Sequence, residues 1–429
     1  MKKLTTLILL LFMTKSFGQI YIHINEVASD SFPIAVVDLP PDSPDPKNLG
    51  TQFGETVRKD LELMGVFKLI DSNSFLDKTK NDQASNIDFS KWAMLDALGL
   101  VKGKYKVTGD SVSVEARLFD VLRKNELVFK KYQTTTGGIR QAAHQFANEI
   151  IRSLTGEEGI FNTKIAYVCK PGGKKELCVM NFDGSEDKQI TSLSSYVLSP
   201  AWDNSGKSVY FISPSAQKNP ALYRVELARK SMVAVGKFPG MVNGIGLAPN
   251  GNSLATSLSK DGNAEIYLLG LDGGIQQRLT TNQDIDVSAR FSPDGKEIVF
   301  VSDRQGSPQI WKMDVNGKNP RPLTLKGKNN NSPSWSPRGD KILFSGMDTD
   351  GHCDIFSIDA DGSNLVRLTY DTKDNISPSW SPSGHLVVFA SNRSGKYQLY
   401  TMRADGSKQR KISQQGWDHE MPSWSARLK

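Results

Sequence analysis

Six large apolar residues recur along the C-terminal two-thirds of the chain at almost constant distance: Trp202, Leu247, Phe291, Trp335, Trp380 and Trp424, with successive spacings of 45, 44, 44, 45 and 44. The clearest copy reads Phe291-Ser-Pro-Asp-Gly295, the run Glu297-Ile-Val-Phe-Val301, a polar loop, Gln309-Ile-Trp-Lys-Met313, Asn316-Gly317 and then Pro322-Leu-Thr324. A unit of that length holds four strands, and one four-stranded sheet cannot bury both of its faces, so successive copies must stack around an axis. The spacing predicts a six-bladed β-propeller.

The turns agree with that reading. In Pro-Asp-Gly, Pro presets φ, Asp bonds the local backbone and Gly accepts positive φ. Asn316-Gly317 has counterparts in Asp183-Gly184, Asp272-Gly273, Asp361-Gly362 and Asp405-Gly406. These dipeptides favour two-residue type I′ hairpins, the turn expected between the outer strands. The repeat around Ala228-Arg229-Lys230 lacks the pair, so a longer or irregular outer hairpin is expected there.

The ends of the repeat region imply how the ring closes. The last inner strand, Glu420 to Ser425, is followed by only four residues and has no downstream partners. Three strands lacking an inner partner, Ile165 to Val168, Leu177 to Met180 and Gln189 to Thr191, precede the first marker. Joining the two fragments completes the sixth blade and leaves no open sheet edge.

Met1-Lys2-Lys3, the apolar run Leu4 to Met13 and Ser16-Phe17-Gly18 have the pattern of a secretory signal over residues 1–18, with cleavage expected between Gly18 and Gln19. The apolar run is too short for a bilayer span, which needs about 20 residues. No Cys follows the cleavage point and no later segment reads as transmembrane, so export without a lipid anchor is expected. Removing Lys2, Lys3 and Lys15 from 53 basic residues leaves 50 against 46 acidic ones, a net charge near +4. That mild excess, without clustered Lys and Arg among aromatics, argues against nucleic acid as a partner. Cys169 and Cys178 fall on two strands expected to be neighbours, where a hairpin disulfide and a pair of buried thiols both fit; Cys353 reads as a lone thiol.

Residues 31–156 change pattern to a small α/β domain. Pro33 to Asp38 and Phe67 to Ile70 read as strands, and Asn48 to Met64 as a helix with Gly65 as its stop. Phe89 to Leu98 reads as a shorter helix ending at Gly99. Tyr105 to Thr108, Val112 to Phe119 and Glu126 to Tyr132 read as strands, and Gly138 to Leu154 as an amphipathic helix. Ahead of it, residues 19–30 begin with Gln19-Ile20-Tyr21-Ile22-His23-Ile24, an alternating strand that can dock on the domain or add to a partner's sheet. The propeller takes 157–429.

These residues together resemble the TolB family, the periplasmic component of the Tol-Pal system of Gram-negative bacteria. The resemblance rests on the signal, the small α/β domain with Ser31-Phe-Pro-Ile-Ala-Val-Val37, the junction Phe161-Asn-Thr-Lys-Ile-Ala-Tyr-Val168, and WD40-like repeats of the PD40 type. It implies a periplasmic, non-enzymatic and monomeric protein without cofactor. Its propeller would bind the peptidoglycan-associated lipoprotein Pal, and its mature N-terminus, Gln19 to Ile24 here, would engage TolA. That role supports outer-membrane integrity, constriction during cell division and the protein import that exploits the system. A generic exported propeller binding another protein, a peptide or a glycan is the alternative.

Loops entering the six inner strands converge on the central channel. The residues expected at its mouth are Tyr196 and Val197, Met241 and Val242, Asp286 and Val287, Asn331 and Ser332, Ile376 and Ser377, and Glu420 and Met421. Their mixture of aromatic, Met and polar types suits a protein partner. Enzyme readings lack their residues. No Gly-x-Ser-x-Gly elbow occurs, arginines such as Arg278, Arg321 and Arg367 are scattered, and the five histidines show no zinc spacing. No catalytic or metal residues are expected; a calcium ion at the mouth near Asp284, Asp286, Asp374 or Asp418 is the one cofactor reading left open.

Overall fold

The computed structural model describes residues 31–42, 47–77, 82–193, 195–215, 219–347, 351–370 and 373–428. The expected signal, its cleavage point at Gly18 and Gln19, and the strand Gln19 to Ile24 lie outside these residues.

Six four-stranded sheets form the ring. In chain order the inner strands are Leu198–Trp202, Val242–Leu247, Asp286–Phe291, Asn329–Trp335, Asn375–Trp380 and His419–Trp424, and they open blades 1 to 6. Blade 6 joins the two ends of the repeat region: His419–Trp424 pairs with Lys164–Cys169, which pairs with Glu176–Asn181, then Lys188–Gln189. Register runs from His419 opposite Cys169 to Trp424 opposite Ile165. The outer ladder stops at Gln189, short of the expected Thr191, because the Thr191 hydroxyl turns inward to Glu176 (2.6 Å) and accepts from the Leu177 N–H (2.9 Å).

That hydroxyl is a repeated device. Thr280, Thr324 and Ser413 likewise donate to a side chain near the start of the third strand, Glu265, Gln309 and Gln398, and accept from the next backbone N–H. Each such bond satisfies a buried donor that would otherwise cost about 1–3 kcal/mol. The Leu before Thr seals the blade interface: Leu279, Leu323 and Leu368 are buried between neighbouring sheets.

The Asp-Gly and Asn-Gly loops differ from the expected type I′ turns. Gly184 is left-handed (φ 86°) while Asp183 is not, the Gly184 N–H donates to Asn181 O (2.9 Å) and the Asn181 N–H to Ser185 O (2.8 Å). This is a type I turn closed by a G1 bulge. Asp183 holds it by accepting from the Ser185 N–H at 3.0 Å. Glycine is required for a second reason as well, since a Cβ on Gly184 would lie 2.0 Å from Ile412 O of blade 5. Blade 1, without this dipeptide, turns at 227–230 into the longest outer strand, Ser231–Lys237.

Phe67–Leu69, Phe32–Val36, Gly99–Thr108, Ser111–Asp120 and Asn125–Thr135 form the five-stranded sheet of the α/β domain in that spatial order. Helices Leu49–Met64 and Ile139–Thr155 pack together through Phe53 and Phe146, and Gly65 caps the first with φ 68°. The expected helix from Phe89 ends at Ala93, and Gly99 is no helix stop. It opens a strand where a Cβ would come within 2.9 Å of the Phe32 ring. Among the described residues no helix is long and apolar enough to cross a membrane.

The α/β domain sits on one face of the ring, against the turns that follow the inner strands. Glu157 meets His385 Nε2 at 2.5 Å and Arg338 at 3.3 Å, Arg140 pairs with Asp183 at 2.6 Å, and Arg427 Nε donates to Gly159 O at 3.0 Å. His144, which hydrogen-bonds Asp60 (2.6 Å), lies edge-on to Phe182 at 5.4 Å, so both domains share one apolar core. The loops entering the inner strands lie on the opposite, uncovered face.

Candidate protein-binding mouth of the propeller channel

Every inner strand carries a β-bulge at the same position. The ladder slips between Asn243 and Gly246, Val287 and Arg290, Asn331 and Ser334, Ile376 and Ser379, and Glu420 and Ser423, with the matching slip in blade 1. The extra residue is left-handed: Ser199, Gly244, Ser288, Ser332, Ser377 and Met421, with φ from 50° to 70°. Pro follows in four blades, at Pro200, Pro333, Pro378 and Pro422. A bulge tolerates Pro because the ladder donor is already lost there. Small residues occupy this strained region at five positions, so Met421 is the one long side chain held in it; it reaches the apolar cluster of Ala166 and Val168.

These bulges wall a cavity of about 270 Å³ at the channel axis, lined among others by Val242, Ser332, Ser377 and Met421. The other expected mouth residues do not line it. Measured from the bulge, the expected pairs sit at three different levels: Tyr196, Val197, Met241 and Val242 lie three and two residues ahead, Asp286 and Val287 two and one ahead, and Asn331, Ile376 and Glu420 one ahead. One level therefore groups Val197, Val242, Asp286, Asn330, Asn375 and His419, all buried. The level above it, the rim, is Tyr196, Met241, Ile285, Asn329, Asp374 and Asp418.

The rim is two-sided. Tyr196, Met241 and Ile285 on blades 1 to 3 are 42%, 39% and 47% exposed, an apolar crescent. Asn329, Asp374 and Asp418 make the other half polar and acidic. The end of the second strand fixes three rim residues: Ser259 Oγ accepts from the Met241 N–H (2.7 Å), Asp303 from Ile285 (2.7 Å) and Asn392 from Asp374 (2.9 Å). Ile285 and Asn329 were missed by sequence reasoning, although both stand at a fixed offset of six before their markers Phe291 and Trp335.

The carboxylates here are engaged in structural hydrogen bonds. Asp286 takes a two-pronged bond from Arg304 (3.0 and 2.8 Å) and one from Asn282 (2.5 Å), and Arg304 stacks on Trp311 at 4.7 Å. Asp418 accepts from the Tyr397 N–H (2.8 Å) and Asp374 from the Cys353 N–H (3.0 Å). Among the described residues no group of three His, Cys, Asp or Glu could hold a metal ion. Cys169 and Cys178 form a disulfide in blade 6 with Cα atoms 5.8 Å apart, and Cys353 is a free thiol.

Glu420 binds Lys170 (2.5 Å) and Lys175 (2.8 Å), tying the closing strand to the hairpin beside it. Burial alone would raise its carboxyl, but the two lysines outweigh burial and hold it below its ordinary value of 4.5. A depressed carboxyl contributes stability that is present above the unfolded value and lost as pH falls through the folded one. Glu420→Gln should therefore lower stability at pH 7 by roughly 1 kcal/mol, given solvent screening around its two half-buried lysines. Urea melts should show that gap closing as pH drops below 4.5; a gap independent of pH would contradict this role.

Comparison with known proteins follows the two regions. Residues 20–127 match the family model of the TolB amino-terminal domain, and residues 151–426 that of the TolB beta propeller domain. A TolB homolog of Chlorobium chlorochromatii is 35% identical over 285 residues, 66% of this chain and 63% of the relative. The Tol-Pal system protein TolB of Anaeromyxobacter dehalogenans is 34% identical over 239 residues, 56% of this chain and 55% of the relative. The chain thus matches less than two-thirds of the length of these curated relatives. The crystal structure of TolB from Acinetobacter baumannii superposes with a TM-score of 0.80 at 28% identity, covering 92% of this chain and 97% of that one. With the propeller model matched across all six blades, the chain belongs to the TolB family.

Proposed function

We propose that this chain is a periplasmic adaptor of the Tol-Pal system, without catalytic activity, that binds Pal at the channel mouth and TolA through Gln19 to Ile24. In that role it supports outer-membrane integrity and constriction during division. The observation that carries the reading is the rim itself. It is a crescent of Tyr196, Met241 and Ile285 facing Asn329, Asp374 and Asp418, on the ring face that the α/β domain leaves free. An apolar centre with a polar border is the anatomy of a protein interface.

The test is capture on immobilised Pal and on the immobilised periplasmic domain of TolA. The chain beginning at Gln19 should be retained by both. The chain lacking residues 19–30 should be retained by Pal alone. Retention by neither would overturn the adaptor reading in favour of a generic exported propeller.

A further inference from the structure

One level below the bulges, each inner strand presents the residue just before its marker to the channel: Ala201, Gly246, Arg290, Ser334, Ser379 and Ser423. Five of the six are Gly, Ala or Ser; the sixth is an arginine. Arg290 lines both the mouth cavity and a second one of about 290 Å³ on the far side, as do Ala201, Ser334, Ser379 and Ser423, and it is the one long charged side chain at this level. Gly246 of the neighbouring blade gives it room, since a Cβ there would approach Arg290 Cα to 3.2 Å.

The guanidinium has little to bind. Its one hydrogen bond among the described residues is from Nη1 to the carbonyl of the adjacent Ala289, at 2.9 Å, and it makes no ion pair there. No Asp or Glu lines the mouth cavity. The lower cavity has Asp203, whose oxygens are taken by the Lys207 and Ser208 N–H groups and the Ser205 hydroxyl of its own turn. Other arginines of the ring contrast with this: Arg304 pairs with Asp286, and Arg278 with Glu265. Burial in the channel lowers the Arg290 pKa to about 10, still far above neutrality, so the charge persists without a counter-charge. A half-buried cation without a counter-charge is unfavourable, and a carboxylate facing the free Nε–Nη2 edge of the guanidinium relieves it with paired, charge-assisted bonds. The hydroxyls of Ser334 and Ser423 line the same walls as further donors.

We propose that Arg290 is the floor of an anion-binding site in the channel, which takes a small oxyanion entering from the mouth. Two sources share that chemistry: a free carboxylate or phosphate, and an acidic side chain carried by a polypeptide docked above. The inference stands on the channel alone and does not depend on the identity of any partner.

Thermal melts of the full mature chain at constant ionic strength test it, with chloride replaced by acetate, inorganic phosphate or a blocked tri-glutamate peptide. At about tenfold the dissociation constant, the wild-type midpoint should rise by about 3 °C. Arg290→Gln should lose that rise, and Arg290→Lys, which keeps charge without the fork, should retain part of it. A response to acetate or phosphate identifies a free-ion site; a response to the peptide alone identifies a polypeptide-borne carboxylate. The proposal is overturned if no probe raises the wild-type midpoint, or if Arg290→Gln responds equally. An unaltered far-ultraviolet spectrum of Arg290→Lys separates loss of the site from loss of the fold.

Discussion

Deleting residues 420–429 should abolish cooperative unfolding of the propeller. The segment supplies most of the inner strand of blade 6, with Glu420, Ser423 and Trp424 laddered to Val168, Ala166 and Ile165. Beyond the ladder, Trp424 Nε1 donates to Thr163 Oγ1 (2.8 Å), and Lys164 and Ser425 exchange bonds of 2.8 and 2.9 Å. Trp202 of blade 1 donates to Ser423 O (2.9 Å), so the deletion opens both sides of the sixth blade. With net hydrogen bonds at about 1 kcal/mol and a buried Trp worth about 3, the loss is on the order of 10 kcal/mol. Domain stabilities are typically about 5–15 kcal/mol. Calorimetry should show no single sharp transition for the truncated chain. A melt superimposable on that of the full chain would show that the ring does not depend on this closure.

Met241→Glu combined with Met421→Glu should weaken binding of Pal on the order of 100-fold while the propeller still melts cooperatively. Met241 projects from the apolar crescent, and Met421 is the one long side chain at the bulge level beneath it. A few central apolar residues dominate most interfaces, and about 3 kcal/mol lost at two of them corresponds to roughly 100-fold. The carboxylate placed at position 421 would also stand in the blade of Asp418 and Glu420, on the acidic half of the mouth, repelling any acidic partner group. Met232→Glu is the control: Met232 is 42% exposed, close to the 39% of Met241, but lies on the outermost strand of blade 1, away from the channel.

The ring and its closure were legible because both depend on counting. A constant period sets the number of blades, and one inner strand without partners at the end of the repeats, with three strands lacking an inner partner at the start, leaves one way to close the sheet. The level of each residue in the channel was not read correctly, because Tyr196, Asp286 and Glu420 were chosen as neighbours of a loop rather than by offset from the marker. Val197, Val242, Asp286, Asn330, Asn375 and His419 all stand five residues before theirs. The same level stands six residues after the Thr or Ser of the third-strand lock, as in Thr191 to Val197 and Thr324 to Asn330. The bulge itself leaves only a faint trace, Ser-Pro in three copies and Met-Pro in one, since left-handed backbone at Ser is chosen by the ladder and not by propensity. Arg290 had no signal as a lone cation until the structure showed Gly, Ala and Ser at the other positions of its ring.

Calorimetric titration of Pal into the wild-type chain, the Met241→Glu/Met421→Glu variant and Met232→Glu tests the central claim most directly. The account predicts saturable binding for the wild type and for Met232→Glu, and affinity lower on the order of 100-fold for the double variant. Equal affinity for all three would place the contact elsewhere and contradict the mouth as the binding face, and no heat from the wild type would contradict Pal as the partner.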